Sequence, residues 1–391
     1  MKLSKKCLIF VLVALIAVAS VMGFAKNNKI TVFADKTGDV EVKEYCLIDS
    51  ASGEILAEKN STQKREVASM VKLMTSLLVM EKIEKGEWTL DTELNVSEYA
   101  SSMEGSQAFL DAGKSYKIDD LLKSVIVASA NDSSVVFAEN YSGSENKFVD
   151  VMNQKAKELG LENTLYGNAT GLPAPNQYST AQDIAKLLNV VQKHNLYHKY
   201  STIWMDKLIH DSGRVTELVN TNRLVKYYPG CDCGKTGFTD EAGYCLSASA
   251  KRNDMRLISV VMGAKSTSDR FTASSNLLNY GFSNFKSVKI VDSQASISTG
   301  KTIKGLNRPV ECKPKDDLFL AQKTGDGNKN YVVETNFVEI KSGIKKGDAL
   351  GEIQIKKGDK IVAKTSLLAI DDYKSPTYFQ IIQKTIDNWA F

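Results

Sequence analysis

Three short spacings in this sequence bring groups together that can do nucleophile-and-base chemistry. Ser69 precedes Lys72 by three positions in Ser69-Met-Val-Lys72. On a helix, positions i and i+3 share a face, so the hydroxyl and the amine meet. A serine is a weak nucleophile and needs an adjacent base. A lysine serves as that base where burial and neighbouring cations lower its pKa. At the start of a helix, Ser69 also feels the positive end of the helix dipole. The second spacing, Ser129-Ala-Asn131, puts polar groups into an otherwise apolar helical run over residues 118–141. The third, Lys235-Thr-Gly237, lies on a strand that runs into a turn. There Lys235 and Thr236 suit a carboxylate, and Gly237 admits close backbone approach. Each spacing has an ordinary reading by itself: an N-cap Ser before a solvated Lys, a polar loop, a surface strand. Their order along the chain is the informative feature.

Those groups need elements to hold them. Residues 45–49 and 54–58 flank a Ser-Ala-Ser-Gly turn and read as a strand pair. From Ser69, apolar positions including Val71, Leu73, Met74, Leu77, Leu78 and Met80 nearly encircle a helix axis, so this helix is expected to be buried and to end near Gly86. The run over residues 118–141 reads as two helices broken around Ser129 to Asp132. Further helices are expected over residues 148–160, 179–188 and 270–280, the second opening on a hydroxyl with Asp183 in its first turn. Strands are expected over 234–238, 243–249 and 256–262. Beyond Lys286 helical periodicity fades, and strands punctuated by Lys346-Gly-Asp348 and Lys357-Gly-Asp359 describe a small all-β domain.

Size and composition bound the rest. With 391 residues, 43% of them hydrophobic, the chain exceeds one ordinary domain. Its formal net charge of +4 includes Lys2, Lys5 and Lys6, which precede an apolar run over residues 7–22 and the small residues Gly23 and Ala25. That is the layout of an export signal occupying residues 1–25, with Val32-Phe33-Ala34 as a second cleavage position and a retained anchor as the alternative. Without that segment the chain is near neutral. It has no basic stripe with interleaved aromatics, so nucleic acid is not an expected partner. Six cysteines leave an odd number once Cys7 is removed, and a large core makes disulfides unnecessary. All five others are expected as free, buried thiols. By parity Cys231 and Cys233 share the face of Lys235, whereas Cys245 should lie opposite Thr236 and face the other way. His194, His198 and His210 show no convergent Cys or carboxylate pattern, so neither a metal site nor a cofactor is expected.

In the order Ser-x-x-Lys, Ser-x-Asn, Lys-Thr-Gly, the three spacings are shared by serine β-lactamases and penicillin-binding proteins. The chain resembles the low-molecular-mass penicillin-binding proteins, which are serine-type D-Ala-D-Ala carboxypeptidases. The likeness extends through Arg65-Glu-Val-Ala-Ser-Met-Val-Lys-Leu-Met-Thr75, Val127-Ala-Ser-Ala-Asn-Asp132, Thr170-Gly-Leu-Pro173, Gln177-Tyr-Ser-Thr-Ala181, Asn220-Thr-Asn-Arg-Leu224 and Gly234-Lys-Thr-Gly-Phe-Thr-Asp-Glu-Ala-Gly-Tyr-Cys-Leu246. It implies an α+β fold. A catalytic domain over residues 40–285, an antiparallel sheet with helices, would precede an all-β domain over 286–372.

The same resemblance implies site roles. Ser69 is the nucleophile, Lys72 its base, and Ser129 the relay to the leaving amine. Asn131 holds the substrate amide, and Lys235 and Thr236 bind the terminal carboxylate or polarise the site. Gly237 lies alongside the substrate, and backbone N–H groups of Ser69 and Phe238 form the oxyanion hole. Arg270 stands where relatives often carry an Arg near the carboxylate subsite; a simple helix-end Arg is the alternative. The implied partners are peptidoglycan stem peptides ending in D-Ala-D-Ala, with β-lactams as covalent inhibitors. The enzyme would work at the outer face of the cytoplasmic membrane. Phe238, Val67 and Cys231-Asp-Cys233 depart from the family pattern. A class A β-lactamase would need a loop Glu between the second and third spacings, and residues 167–176 contain no acidic residue.

The last segment, residues 374–391, reads as an amphipathic helix opened by Pro376. At about 100° per residue, Tyr378, Phe379, Ile381, Ile382, Ile386 and Trp389 gather on one side. The segment is too short to span a bilayer and suits the membrane surface; packing onto the β domain would need the same pattern.

Overall fold

The computed structural model describes residues 42–302, 309–325, 330–338 and 343–373, with residues 377–379, 382 and 386 beyond them. The export segment and most of the amphipathic C-terminal segment lie outside the described residues. Of the latter, Tyr378, Phe379, Ile382 and Ile386 are exposed.

Strands β1 (Glu44–Asp49) and β2 (Ile55–Lys59) open the fold as a hairpin. A 3-10 turn, Ala68–Val71, leads into α1 (Lys72–Glu84). Its C-terminus is Lys85, and Gly86 follows in the left-handed region at φ +75°, where glycine is least costly. Next come β3 (Glu93–Asn95), α2 (Glu98–Ser101), β4 (Ser115–Lys117), α3 (Ile118–Val127) and α4 (Asn131–Ser142). Then α5 (Glu145–Glu158), α6 (Ala181–Val191) and α7 (Asn195–Ser201) follow. The Ser144, Thr180 and Ser266 side chains cap the helices after them by accepting a first-turn N–H. A hairpin of β5 (Met205–Ile209) and β6 (Val215–Val219) precedes the short α8 (Leu224–Tyr227). It was not legible as strands, because apolar residues (Met205, Ile209, Val215 and Val219) lie on its outer face as well as on its inner one, which masks the alternation. Then β7 (Cys231–Thr239), β8 (Gly243–Arg252) and β9 (Met255–Ala264) lead into α9 (Thr267–Asn284).

The central sheet is antiparallel, in the order β2-β1-β9-β8-β7. On one face Cys46, Ile48, Cys233, Cys245, Ile258, Val260 and Met262 join a core with α1 and α3 to α6. On the other, Leu47, Leu246, Ala248, Ala250, Leu257 and Val261 pack with Leu277 and Leu278 of α9. Strand alternation delivers both sets. Helix α1 is buried from Lys72 through Met80, as an apolar circumference requires.

The cysteine register differs from the sequence expectation in two respects. A bulge between Cys231 and Cys233 pairs Cys231 with Ala250 and Cys233 with Ser249. The extra residue turns Cys231 toward the α9 side, so the two cysteines do not share a face. Cys245 lies opposite Gly237 instead of Thr236, and therefore on the side of Cys233. Strand length keeps those two apart, because four residues span about 13 Å, beyond disulfide reach. All five described cysteines are free and buried.

After α9 the chain turns to strands: β10 (Phe285–Val291), β11 (Ile297–Thr302), β12 (Pro309–Pro314), β13 (Leu318–Lys323), β14 (Val332–Phe337), β15 (Ala349–Lys357) and β16 (Lys360–Ala369). They form a sheet β11-β12-β16-β15-β14 and a ladder β10-β13 around their own core, which includes Val310, Leu320, Ile355 and Leu367. The first hairpin meets this domain through polar contacts. Ser287 donates to the Asp49 carboxylate at 3.2 Å, and Glu54 accepts from the Ala321 N–H at 3.2 Å and pairs with Lys357.

Candidate active site

Ser69 lies half-buried in the 3-10 turn ahead of α1, so the α-helix proper begins only at Lys72. Two backbones press on this turn. A Cβ on Gly171 would come within 2.0 Å of the Ala68 carbonyl oxygen. One on Gly237 would meet the Val67 oxygen at 2.6 Å and the Ser69 nitrogen at 3.2 Å. Gly237 thus lets β7 lie directly against the backbone N–H of the nucleophile, the approach an oxyanion hole needs.

Lys72 is fully buried as the first residue of α1. Its Nζ lies 3.0 Å from Ser69 Oγ, 2.6 Å from Asn131 Oδ1 and 2.6 Å from the Thr170 carbonyl oxygen. Burial, and then the nearby Lys235 charge, hold its pKa well below the usual lysine range, with Asp132 opposing. The orientation of Asn131 is fixed, because Nδ2 donates to the Glu104 carbonyl at 2.5 Å, which leaves Oδ1 for Lys72. Two of the three partners can therefore only accept. A neutral Lys72 must spend both N–H bonds on Asn131 and Thr170, and its lone pair is left pointing at the Ser69 hydroxyl. That is the geometry of a general base.

The second lysine faces the same space. Lys235 Nζ donates to Ser129 Oγ at 2.7 Å and to the Thr236 carbonyl at 3.2 Å. Burial, and then the Arg270 charge, lower its pKa to about 7. Ser129 is held in the left-handed region at φ +65°, uncommon for a serine, in the break between α3 and α4. This strained break explains the polar interruption in the apolar run: it aims a hydroxyl at Lys235 and starts α4 with Asn131 at Lys72. The structure thus forms two contact groups, Ser69–Lys72–Asn131 and Ser129–Lys235, coupled by the Lys235 charge felt at Lys72, with Gly237 against the Ser69 backbone.

Comparison with known proteins shows the family. Residues 30–266 match the family model described as D-alanyl-D-alanine carboxypeptidase. Residues 285–375 match the C-terminal domain of penicillin-binding protein 5. The chain belongs to the D-alanyl-D-alanine carboxypeptidase family. The D-alanyl-D-alanine carboxypeptidase DacF of Bacillus subtilis is 37% identical over 351 residues, covering 90% of each chain. DacC of Escherichia coli is 33% identical over 87% of this chain and 86% of its own. The crystal structure of penicillin-binding protein 5 from Haemophilus influenzae superposes with a TM-score of 0.74 at 29% identity, covering 86% of this chain and 99% of that one. The α+β catalytic fold followed by an all-β domain is thereby established, as is a serine peptidase of this family.

Other candidates sit differently in this carboxypeptidase. Arg270 does not project freely. Its Nη1 donates to the Gly237 carbonyl at 3.1 Å and the Cys245 carbonyl at 3.4 Å, and its Nε is buried with no partner among the described residues. It braces β7 against β8 and acts on Lys235 through its charge. Thr236 is buried beside Lys235. Phe238 is 48% exposed and lies 4.3 Å from the Tyr244 ring, centroid to centroid.

The expectation that no histidine converges with other ligand types needs correction. The His198, Asp232 and Cys233 donor atoms lie within 4.8 Å of one another. Only folding shows this, because α7 packs on β7. Asp232, however, already accepts two bonds of 2.6 Å from Arg256, and burial pushes the Cys233 thiol well above its usual pKa. With Asp232 committed to Arg256 and His198 Nδ1 3.7 Å from the same carboxylate, the cluster reads as an ion-pair network.

Sequence reasoning missed the Thr170 and Glu104 carbonyls and the Asp132 carboxylate, which accepts from the Ala108 and Leu110 N–H groups. A backbone carbonyl leaves no trace in residue type. Asp132 did stand in the polar interruption and was the one legible signal.

Proposed function

We propose that this chain is an exported carboxypeptidase that removes the terminal D-alanine from peptidoglycan stem peptides through an acyl-enzyme on Ser69. The observation that carries the reading is the lone pair of a buried Lys72, directed at Ser69 Oγ by two acceptor-only partners. Ser69 Oγ attacks the carbonyl of the penultimate D-Ala while its proton passes to Lys72 Nζ. The developing oxyanion is met by the Ser69 and Phe238 N–H groups. The C–N bond then breaks as Ser129, backed by Lys235, gives its hydroxyl proton to the departing D-alanine amine and takes up in its place the proton that Lys72 gained, which returns Lys72 to its neutral form. Lys235 and Thr236 hold the terminal carboxylate. Asn131 serves mainly to aim Lys72. Arg270 keeps β7 in place. Water then cleaves the ester, with Lys72 as base.

In this reading residues 1–25 export the chain, residues 40–285 are the catalytic unit and 286–372 the β domain. Residues 374–391 lie on the outer face of the cytoplasmic membrane. β-Lactams present a strained amide to the same serine and acylate it. With no acidic residue in the 167–176 loop, and Lys72 held by the Thr170 carbonyl of that loop, the adduct is expected to persist instead of turning over as in a class A β-lactamase. Incubation with penicillin, digestion and mass spectrometry should place the adduct on the peptide containing Ser69, and purified protein should release D-alanine from a D-Ala-D-Ala peptide. An adduct elsewhere, or D-alanine release by Ser69→Ala, would overturn the mechanism.

A further inference from the structure

Phe109 is a bulky aromatic held where aromatics rarely go. Its φ is +59°, in the left-handed region, and its side chain is 57% exposed. A turn needing that backbone is normally given Gly, Asn or Asp, and a ring that earned its place by packing would be buried. Both neighbours are buried and clamped. The Ala108 N–H donates to Asp132 Oδ1 and Oδ2, each at 3.0 Å, and the Leu110 N–H donates to Oδ2 at 3.1 Å. The Phe109 carbonyl accepts from Arg214 Nη2 at 2.6 Å. Arg214 also holds Asp111 at 2.8 Å, and Tyr116 donates to the same carboxylate at 3.1 Å. The strain is therefore imposed from both sides, by α4 and by the β5–β6 hairpin. Such enforced outliers concentrate at functional sites.

The segment that carries Phe109 is tied to the candidate site through Asn131. Ser106, three residues earlier, accepts from the Asn131 N–H at 2.7 Å, and Glu104 accepts from its side chain. Asn131 in turn touches Lys72. We infer that Phe109 is a specificity-determining residue: its ring is the apolar platform for the side chain of the residue on the amino side of D-Ala-D-Ala. This rests on the carboxypeptidase reading above. The terminal carboxylate is matched by Lys235 and Thr236, and an exposed ring offers it nothing. The two alanine methyls are small. What remains within reach of an apolar surface is the preceding side chain, whose methylene stem can lie along a ring while a polar tip stays in water.

The test compares D-alanine release from Nα,Nε-diacetyl-L-lysyl-D-Ala-D-Ala and N-acetylglycyl-D-Ala-D-Ala by wild type, Phe109→Ala, Phe109→Gly and Phe109→Tyr. The quantity read is the ratio of kcat/KM for the lysyl peptide to that for the glycyl peptide. It should fall about tenfold in the Ala and Gly variants, the scale of an apolar side-chain contact, and be kept by Tyr. The Gly variant relieves the backbone, so its Tm should be no lower than wild type while its preference is lost. An unchanged ratio, or a Gly variant that melts earlier, overturns the inference by making the ring idle or merely structural. If wild type releases D-alanine from neither peptide, the proposed function itself falls, and this with it.

Discussion

In the proposed mechanism two buried lysines divide the work at the site, and their surroundings explain how. Lys72 has three partners and burial as its main perturbation, and it is poised to lose its proton and act as base. Lys235 keeps enough positive character to hold Ser129 and attract a carboxylate, but burial and Arg270 bring its pKa to about 7. In free enzyme kcat/KM is therefore expected to decline as pH rises through about 7 and Lys235 loses its charge. Lys235→Arg remains charged at all relevant pH, so it should lower the maximum and shift that alkaline limb upward. A limb left in place in the Arg variant would assign the titration to another group. The linked effect on stability has a definite sign. Between about pH 7 and the ordinary lysine value of 10.5, the unfolded chain binds more protons at this residue than the folded one. Lys235 thus makes stability rise with pH across that window, with Lys72 acting in the same direction, and urea unfolding of Lys235→Met should show a smaller rise than wild type.

The elements are arranged so that three backbones converge on Ser69: its own 3-10 turn, the loop over residues 167–176, and β7. Asn168 shapes that loop, its Oδ1 accepting from the Thr170 and Gly171 N–H groups at 3.1 and 2.6 Å. The result points the Thr170 carbonyl at Lys72. Gly171 allows the approach in two ways, by its φ of +82° and by lacking a Cβ that would overlap the Ala68 oxygen. Gly171→Ala is accordingly expected to push the nucleophile turn away by a fraction of an ångström or more. Displacements of that order cost about 100-fold in rate, so penicillin acylation measured by stopped flow should slow by about that factor, with a lowered Tm. Wild-type acylation in the Ala variant would show that the loop yields freely.

At the scale of the whole molecule, a catalytic unit with a core on each face of its sheet joins a β domain with a core of its own, through the polar contacts of Asp49 and Glu54 and through Ala321, which packs into the second core. None of the contacts named there involves Ser69, Lys72 or Lys235. Activity on a soluble peptide should then be independent of how the chain is held at its C-terminus. A protein ending at Tyr373 is expected to release D-alanine from the soluble peptide at the full-length rate and to lose co-sedimentation with liposomes. Because Lys374 and Lys384 are the only basic residues of that segment and Asp387 offsets one of them, binding by the mature protein should rest on apolar burial and resist salt. If that protein stays in the supernatant, the membrane-surface role fails.

The sequence by itself made the candidate catalytic side chains and most elements that carry them legible. Ser69 and Lys72 are a local pair whose meeting depends only on helical periodicity, and the buried α1 follows from its apolar circumference. The break at Ser129 was visible because polar residues in an apolar run need a reason. Lys235-Thr-Gly237 was legible because strand alternation is equally local. What tertiary structure alone decided is everything set by packing between distant segments. The bulge that separates Cys231 from Cys233 depends on how β7 meets β8, and parity counting misses any inserted residue. The convergence of His198 with Asp232 exists only because α7 lies on β7. The direction of the Lys72 lone pair is fixed by carbonyls of Glu104 and Thr170, main-chain groups that every residue carries and no residue type reveals. The strain at Phe109 likewise arises from hydrogen bonds to Asp132 and Arg214, one on each side in the chain, and becomes visible only once both are in place.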